Sequence, residues 1–199
     1  MKHGAKFRCR WKSIPPKCIF KFIHYAYLLE MSVLFYIVIG IVAAQRILEL
    51  VISKRNEVWL LSRGAIQYGA GHYRFIVLMH ICFFLSMFEE FFFIKGHKEL
   101  NIINYSFLVF FILLQFGRAW VLVSLGKYWN TKIYRIKRRP LVKTGPYKYL
   151  KHPNYIIVTL EIIALPLIFN LYYTALVFTV LNAIMLSIRI KAENKALNI

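Results

Sequence analysis

Residues 145–161, GPYKYLKHPNYIIVTLE, join a basic and aromatic loop to an apolar helix, and the fold of the chain is organised around them. Proline is tolerated in the first turn of a helix because its missing N–H would have no intrahelical partner there, so His152-Pro153 predicts a helix start. That start leaves His152, Asn154 and Tyr155 beside backbone N–H groups without helical partners. Such a position suits the binding of a polar ligand.

A second apolar helix is predicted to return to the surface where the first one begins. The break between them is predicted at Leu165-Pro166 and Asn170, and the returning helix ends in Arg189 and Glu193, which lie one turn apart on one face. At 1.5 Å per residue the two arms are ~22 and ~28 Å long, so their ends meet within about a turn. Taken singly, a helix start and an i,i+4 ion pair are ordinary features. Their convergence beside a basic loop predicts a small polar pocket at a membrane face.

The composition indicates a membrane protein. Hydrophobic residues make up 59% of the 199 residues, and the mean hydropathy is +0.54, which exceeds what soluble domains carry. The 27 Lys and Arg residues outnumber the 8 acidic ones to give a net charge of +19. In so hydrophobic a chain this charge belongs on membrane-flanking loops, so no nucleic-acid partner is expected. Cys9, Cys18 and Cys82 have neither metal-ligand spacing nor a pairing pattern, so neither a metal site nor a disulfide framework is expected.

Long apolar stretches predict an all-α integral membrane protein with five transmembrane helices and a C-terminal helical hairpin. The fourth stretch is short for a span, which needs ~20 residues. No repeat or flexible linker divides the chain, so the N-terminal spans are placed in residues 31–114, followed by a C-terminal region 115–199. The five predicted spans are residues 32–52, 75–94, 102–125, 155–169 and 171–190.

The basic residues predict the orientation in the membrane. Four of them follow the first span, whereas the opposite side offers only Lys95 and Lys98. The positive-inside rule therefore places the C-terminus and the polar pocket in the cytoplasm, and the basic loop is also expected to contact lipid headgroups. The loop after the third span carries nine basic residues and no acid: Lys127, Lys132, Arg135, Lys137, Arg138, Arg139, Lys143, Lys148 and Lys151.

Residues 1–30 do not fit this orientation, since their seven Lys and Arg residues would lie outside the cell. The apolar piece 19–29 is short for a span and has no cleavage site of small residues, so a signal peptide is a poor fit. Met31 directly precedes the first clear span. We expect the native chain to start there, with residues 1–30 as an upstream extension; the alternative is a basic segment lying on the membrane surface.

Ionisable residues inside the predicted spans are expected to face the bundle interior or a wet cavity. Arg46 and Glu49 lie near the inner end of the first span, and Arg118 lies in the inner half of the third. One interpretation is a structural Glu49–Arg118 ion pair, and the other is that these residues line the inner wall of a substrate pocket. Glu161 is expected to point into the bundle and support the pocket, and Glu89 and Glu90 in the second span are both expected to be structural.

These motifs resemble the isoprenylcysteine carboxyl methyltransferase family over roughly residues 115–199. The elements occur in the family's order and spacing, and residues 31–114 resemble its short prokaryotic members, including those that O-methylate alkylpyrones. The chain departs from the family pattern at Lys151, where arginine is usual, and at Asn194, where a second glutamate often follows. The matching elements are Leu125-Gly126, Leu141-Val142, Gly145-Pro146-Tyr147, His152-Pro153-Asn154-Tyr155, Glu161 and Arg189…Glu193.

The resemblance implies an O-methyltransferase that takes S-adenosylmethionine from the cytoplasm and a lipophilic acceptor from the bilayer of a bacterial cell. The acceptor is either a prenylated cysteine carboxylate or an alkylpyrone-like lipid hydroxyl, and the resemblance of this short chain to the prokaryotic members favours the hydroxyl. Glu193 would accept from the ribose hydroxyls or the ammonium group, and Arg189 or His152 would face the cofactor carboxylate. The implied cofactor-binding residues are Tyr147, Leu150, His152, Pro153, Asn154, Tyr155 and Glu193, and the candidate catalytic residues are Arg189 and Arg118.

Two other functions are compatible with parts of this pattern. Sterol-type membrane reductases carry a similar His-Pro-Asn-Tyr element and bind NADPH with it, but they are longer and have further spans. A non-enzymatic membrane protein, such as a transporter subunit, is the second alternative. Transport sites lie near mid-membrane, whereas the polar cluster predicted here lies at one surface.

Overall fold

The computed structural model describes residues 16–94, 100–137 and 139–197, with the backbone alone at residues 16–28, 72 and 197. Several predicted features lie outside these ranges: the first half of the N-terminal extension, the outer-side residues Lys95 and Lys98, and Arg138 of the basic loop. The described residues form five α-helices: α1 Pro16–Ser62, α2 Ala70–Glu89, α3 Ile102–Leu125, α4 Pro153–Ile168 and α5 Tyr172–Leu197.

The chain divides into two compact units, Met1–Ile41 and Val42–Ile199. Within the first unit, helix α1 is continuous across Met31, where the native start is predicted. Every side chain discussed below belongs to the second unit.

Four helical stretches in the described residues are long and apolar enough to cross a membrane: Leu29–Ser62, Tyr73–Ile94, Ile102–Tyr128 and Tyr172–Ala196. Helix α4 is also apolar, but its 16 residues are fewer than a span requires. The protein is therefore an all-α membrane protein that ends in a helical hairpin, as predicted. The fourth predicted span is the short one, as its length indicated.

The hairpin turns at Asn170 and not at Pro166. Helix α4 continues through Pro166 to Ile168, so the predicted break at Leu165-Pro166 is wrong. The reason is that Pro166 lies in the last turn of the helix, where its missing N–H removes one hydrogen bond and the helix ends two residues later anyway. The chain reverses at Asn170, which adopts a left-handed conformation with φ 59°; asparagine tolerates this conformation better than most residues.

Buried side chains hold the turn of the hairpin. The Asn104 amide on α3 donates to the carbonyl of Leu167 at 2.9 Å and to Oδ1 of Asn170 at 3.0 Å. A π-helical turn, Glu90–Ile94, extends α2, and the buried Glu90 carboxylate accepts from the backbone N–H groups of Tyr173 at 3.2 Å and Thr174 at 2.7 Å. These are N–H groups of the first turn of α5, which have no partner within the helix. Glu90 is therefore structural, as predicted, whereas Glu89, for which the same role was predicted, is exposed on α2.

Two short strands at the other end of the bundle were not predicted. Strand β1, Ile66–Tyr68, between α1 and α2, pairs antiparallel with β2, Ile133–Arg135, in the loop between α3 and α4. Their register sets Ile66 opposite Arg135 and Tyr68 opposite Ile133. The pairing ties the basic loop to the α1–α2 connection, and the loop forms one wall of the cavities described next.

Candidate functional site

The residues that introduce α4 adopt a tight local structure. Gly145 has a left-handed φ of 54° and opens a 3₁₀ turn, Gly145–Lys148. A Cβ at this position would collide with the side chain of Ser124 on α3, so both the conformation and the space require glycine. His152 then precedes α4 with φ −132°, and Pro153 is its first helical residue. The predicted helix start is confirmed.

The first cavity, called here the loop cavity, has a volume of 440 Å³ and lies between the α3–α4 loop, the start of α4 and the end of α5. This volume falls within the ~300–1,000 Å³ typical of small-molecule sites. Its lining includes Trp129, Asn130, Tyr147, Leu150, His152, Asn154, Tyr155, Arg189 and Glu193.

A chain of polar contacts joins the two arms of the hairpin in this cavity. The Tyr155 hydroxyl donates a short hydrogen bond to Oε2 of Glu193 and accepts one from Nε of Arg189 at 2.9 Å. Nδ1 of His152 lies 3.4 Å from the same Glu193 oxygen, and the His152 ring stacks on Tyr155 with centroids 5.2 Å apart. The convergence of His152 and Tyr155 with Arg189 and Glu193, predicted from helix lengths, is therefore observed.

Arg189 and Glu193 do not form the i,i+4 ion pair that their spacing allows. Arg189 instead donates to Tyr155 and, through Nη2, to the carbonyl of Thr131 at 2.6 Å. Within the described part of the chain no carboxylate lies within 4 Å of its guanidinium. Its positive charge therefore faces the cavities without a directly paired anion.

Three buried polar atoms in the loop cavity have no hydrogen-bond partner among the described residues: Nε2 of His152, Oδ1 of Asn154 and Nε of Arg135. Buried polar groups normally find a partner, so atoms of this kind at a cavity indicate a ligand that supplies it. Burial, followed by the negative charge of Glu193, raises the pKa of Tyr147 above its usual value. Tyr147 therefore stays neutral and serves as a hydrogen-bond donor or a packing surface.

The second cavity, called here the bundle cavity, has a volume of 250 Å³ and is lined by residues of all five helices. Its walls are mostly apolar, but Arg46, Glu49, His80 and Arg118 also line it. The two cavities adjoin, because five residues line both of them: Trp129, Asn130, Asn154, Tyr155 and Arg189.

The polar end of the bundle cavity is a cluster of two arginines and two glutamates. Arg118 makes two hydrogen bonds to the carboxylate of Glu49, one through Nη2 at 2.5 Å, and a third to Glu161 at 2.7 Å. Arg46 bridges the same two glutamates at 3.1 and 2.6 Å, and Gln115 donates to Glu161 at 3.0 Å. The cluster is neutral as a whole and buried at Glu49, Arg118 and Glu161. Both predicted features, the Glu49–Arg118 pair and an inward-pointing Glu161, are confirmed.

The wall between the cavities is fixed to α1 by hydrogen bonds that the sequence did not reveal. Ser53 bonds to Oδ1 of Asn130 at 3.1 Å and to Oγ1 of Thr131 at 2.8 Å. Glu57 accepts from Lys132 at 2.9 Å and from the Tyr134 hydroxyl at 2.8 Å. Desolvation and this hydrogen bond raise the pKa of Tyr134 to about 12. The segment that follows α3 is thereby held over the start of α4.

The C-terminal half of the chain, residues 107–199, matches the model of the isoprenylcysteine carboxyl methyltransferase (ICMT) family. The chain is also 42% identical over 164 residues to the uncharacterized protein YpbQ of Bacillus subtilis, an alignment that covers 82% of this chain and 96% of that protein. The chain belongs to the ICMT family. Membership indicates a membrane methyltransferase, and it confirms the resemblance found in the sequence.

A second ICMT-like relative comes from Haemophilus influenzae, an uncharacterized protein that is 31% identical over 163 residues, covering 79% of this chain and 91% of that protein. No solved structure matches the chain. The names of these relatives assign no substrate, so the chemistry of this ICMT-family member has to be argued from its own residues.

The structure brings most of the predicted site residues to one cavity. Of the candidates, six of the seven cofactor-binding residues and Arg189 line the loop cavity. Pro153 does not; it is buried in the first turn of α4. Arg118 lines the bundle cavity instead, where two carboxylates hold it. The catalytic and cofactor-binding roles of these residues remain predictions.

The sequence did not predict several residues that line the two cavities. Trp129 and Asn130 follow α3 without a recognisable motif, and they are placed by the β1–β2 pairing and by Ser53. His80 lies in an apolar stretch of α2, and nothing in its neighbours along the chain shows that it faces a cavity. The one available signal was that polar residues inside a span tend to face the bundle interior.

Proposed function

We propose that this ICMT-family protein is an O-methyltransferase that binds S-adenosylmethionine in the loop cavity and a lipophilic acceptor in the bundle cavity. The observation that supports this proposal is the shared wall, in which Asn154, Tyr155 and Arg189 line both cavities. A reaction between a polar donor and an apolar acceptor needs two sites of different character that meet at one place. The two cavities have this arrangement.

The residues of the loop cavity fit S-adenosylmethionine. That molecule has a carboxylate, an ammonium group, ribose hydroxyls and an adenine ring. The charge of Arg189, which is not paired with a carboxylate of the described residues, suits the ligand's carboxylate. The Glu193 carboxylate suits the ammonium group or the ribose, and the stacked rings of His152 and Tyr155 suit adenine. The unpartnered atoms of His152 and Asn154 supply further polar contacts.

The bundle cavity fits a lipid that enters from the bilayer. Leu50 on α1 and Val77 and Ile81 on α2 line it while their side chains are also exposed on the outer surface of the bundle. A membrane-spanning bundle exposes such residues to lipid, which supports entry of an acyl or prenyl chain between α1 and α2. The arginine–glutamate cluster at the polar end suits the acceptor's oxygen-bearing head.

In the proposed mechanism the protein positions the two ligands and excludes water from the place where they meet. Bound S-adenosylmethionine supplies an electrophilic methyl group on a sulfonium. Arg189 and Tyr155 hold the wall at which the two ligands meet, and Trp129 with the α3–α4 loop keeps water out of the junction. Positioning two reactants in this way contributes ~7–11 kcal/mol to the lowering of a barrier. Arg118 and Arg46 orient the acceptor's polar head through the cluster.

We further propose that the loop cavity faces the cytoplasm of a bacterial cell. The basic loop over this cavity supports that orientation by the positive-inside rule. The acceptor oxygen belongs to a prenylcysteine carboxylate or to a lipid hydroxyl.

The test is thermal unfolding of the detergent-solubilised protein with S-adenosylhomocysteine or NADPH. A ligand that binds only the folded protein stabilises it by about 2.7 kcal/mol at a hundredfold excess over Kd. We expect stabilisation by S-adenosylhomocysteine and none by NADPH, and we expect Arg189→Gln to abolish it. Stabilisation by NADPH alone would refute the methyltransferase proposal and favour a reductase.

A further inference from the structure

His80 on α2 lines the bundle cavity, and within the described ranges one of its ring nitrogens makes a hydrogen bond whereas the other does not. Its Nδ1 lies 2.8 Å from the carbonyl oxygen of Ile76, one turn earlier. A carbonyl only accepts hydrogen bonds, so Nδ1 carries the hydrogen and the neutral ring presents Nε2 as an acceptor. Among the described residues no hydrogen bond to Nε2 is formed, and the ring lines the cavity.

The other titratable and charged groups of this cavity have their polar atoms engaged. The Glu49 carboxylate is held by Arg118 and Arg46. The Tyr73 hydroxyl bonds to Thr131 at 3.2 Å, and that of Tyr155 donates to Glu193. Arginine has no lone pair to offer. The groups that face His80 across the cavity are Arg46 and Glu49 from α1, Tyr73 from α2, Arg118 from α3, Tyr155 from α4 and Arg189 from α5.

Glu161 lies behind the cluster and is no alternative base. Both of its oxygens accept hydrogen bonds, one from Gln115 and the other from Arg46 and Arg118. His80 is therefore the proton acceptor in the described part of the cavity whose lone pair is uncommitted. A carboxylate acceptor would bring no proton to the cavity, whereas a hydroxyl acceptor would have to lose one.

We propose that His80 is the general base that accepts the proton of an acceptor's hydroxyl, phenol or enol group; this inference rests on the proposed methyltransferase function. The acceptor oxygen forms its new bond to the methyl carbon with one of its electron pairs. The carbon–sulfur bond breaks and leaves its pair on sulfur, while the hydroxyl proton moves to Nε2 of His80. The products are a methyl ether, S-adenosylhomocysteine and a histidinium that returns its proton to water.

The first test follows proton transfer without any methyl donor. The probe is a long-chain alkyl nitrophenol, whose phenolate absorbs at longer wavelength than its phenol. Bound to the wild-type protein, it is expected to show a phenolate-to-phenol ratio about tenfold higher than when bound to His80→Asn, one unit in apparent pKa. Asparagine retains a short amide donor for the Ile76 carbonyl but offers no basic nitrogen. The matched control is Cys82→Asn, which introduces the same side chain at an exposed position of α2 outside the cavity and should leave the ratio unchanged.

The second test compares acceptors in the methyl-transfer assay. His80→Asn is expected to lower kcat for an alkylphenol by about 100-fold, the lower end of general-base contributions, with an unchanged KM for S-adenosylmethionine. A nitrophenol that is already ionised at the assay pH should recover most of that loss.

An unchanged phenolate ratio in His80→Asn would overturn the inference, as would an equal loss of kcat for both phenols. Failure of the wild-type protein to bind the probe, with stabilisation by S-adenosylhomocysteine intact, would also overturn it. That last result would leave the proposed methyltransferase standing with a different acceptor. Loss of the S-adenosylhomocysteine effect itself would instead refute the proposed function.

Discussion

Glu161→Gln tests whether the arginine–glutamate cluster holds the bundle together. The carboxylate of Glu161 accepts from Arg46 at 2.6 Å, from Arg118 at 2.7 Å and from Gln115 at 3.0 Å, and its side chain is 3% exposed. The substitution keeps the shape but leaves two guanidinium groups against one carboxylate. Removing one partner from a buried ion pair costs ~3–5 kcal/mol, because the remaining charge stays buried without compensation.

The lower end of this range is expected, since the Arg46 side chain is 21% exposed and can turn outward. A loss of ~3 kcal/mol corresponds to roughly 6–12 °C in Tm for a chain of this length. The assay is thermal unfolding in detergent, with Glu89→Gln as the matched control. Glu89 is exposed on α2, so its substitution removes the same charge without touching the cluster.

The double variant Arg46→Gln/Glu161→Gln separates charge balance from other effects. It restores a neutral cluster and leaves the Glu49–Arg118 pair intact. We therefore expect it to be more stable than the sum of the two single losses by ~0.5–3 kcal/mol, the range measured for residues in one network. Strictly additive losses, or a Glu161→Gln protein that melts like the wild type, would refute this account.

Three further predictions follow from single contacts. Glu193→Gln should weaken S-adenosylhomocysteine binding by ~1.5–3 kcal/mol, the range for hydrogen bonds to charged groups, without changing the Tm of the free protein. A calorimetric titration measures this affinity. An unchanged affinity would show that Glu193 does not contact the ligand. Glu90→Gln should destabilise the protein by ~0.5–2 kcal/mol because it weakens the cap of α5. The stability of Glu89→Gln should stay within about 0.5 kcal/mol of the wild type. Equal Tm values for the two variants would show that Glu90 does not stabilise the start of α5. Gly145→Ala should destabilise the protein by more than the ~1–2 kcal/mol of a left-handed conformation, because the added Cβ also collides with Ser124. Gly64→Ala, with φ 74° and open space, should destabilise it only by that ~1–2 kcal/mol. Equal losses of stability in the two variants would show that the loop around Gly145 adapts.

The sequence predicted the part of the site whose geometry follows from local rules. A proline in the first turn starts α4 at His152-Pro153, and the part of α5 that leads back to Arg189 is about as long as α4, so Arg189 and Glu193 meet Tyr155. The Glu49–Arg118 pair was one of the interpretations drawn from the cost of charge inside a membrane, and it is observed.

The rest depends on contacts between segments that are distant in sequence. The separation between Ser53 and Asn130 is 77 residues, and that between Arg46 and Glu161 is 115. No periodicity or motif encodes such pairings, since each is set by how the helices pack. The strand pair was missed for the same reason: three-residue strands carry too little alternation to be recognised. Pro166 was misjudged because the effect of a proline depends on how close it lies to the end of its helix.

The shortness of α4 explains why polar residues lie at both of its ends. Sixteen residues rise ~24 Å, less than the ~30 Å of a hydrocarbon core, so the turn at Asn170 falls at membrane depth if α4 begins at the surface. Backbone groups there must be paired by protein, because lipid offers no hydrogen bonds. Asn104 satisfies the Leu167 carbonyl and Glu90 the first N–H groups of α5. Because this turn is fixed, the opposite ends of α4 and α5 are fixed too, and they hold Tyr155, Arg189 and Glu193 in one cavity.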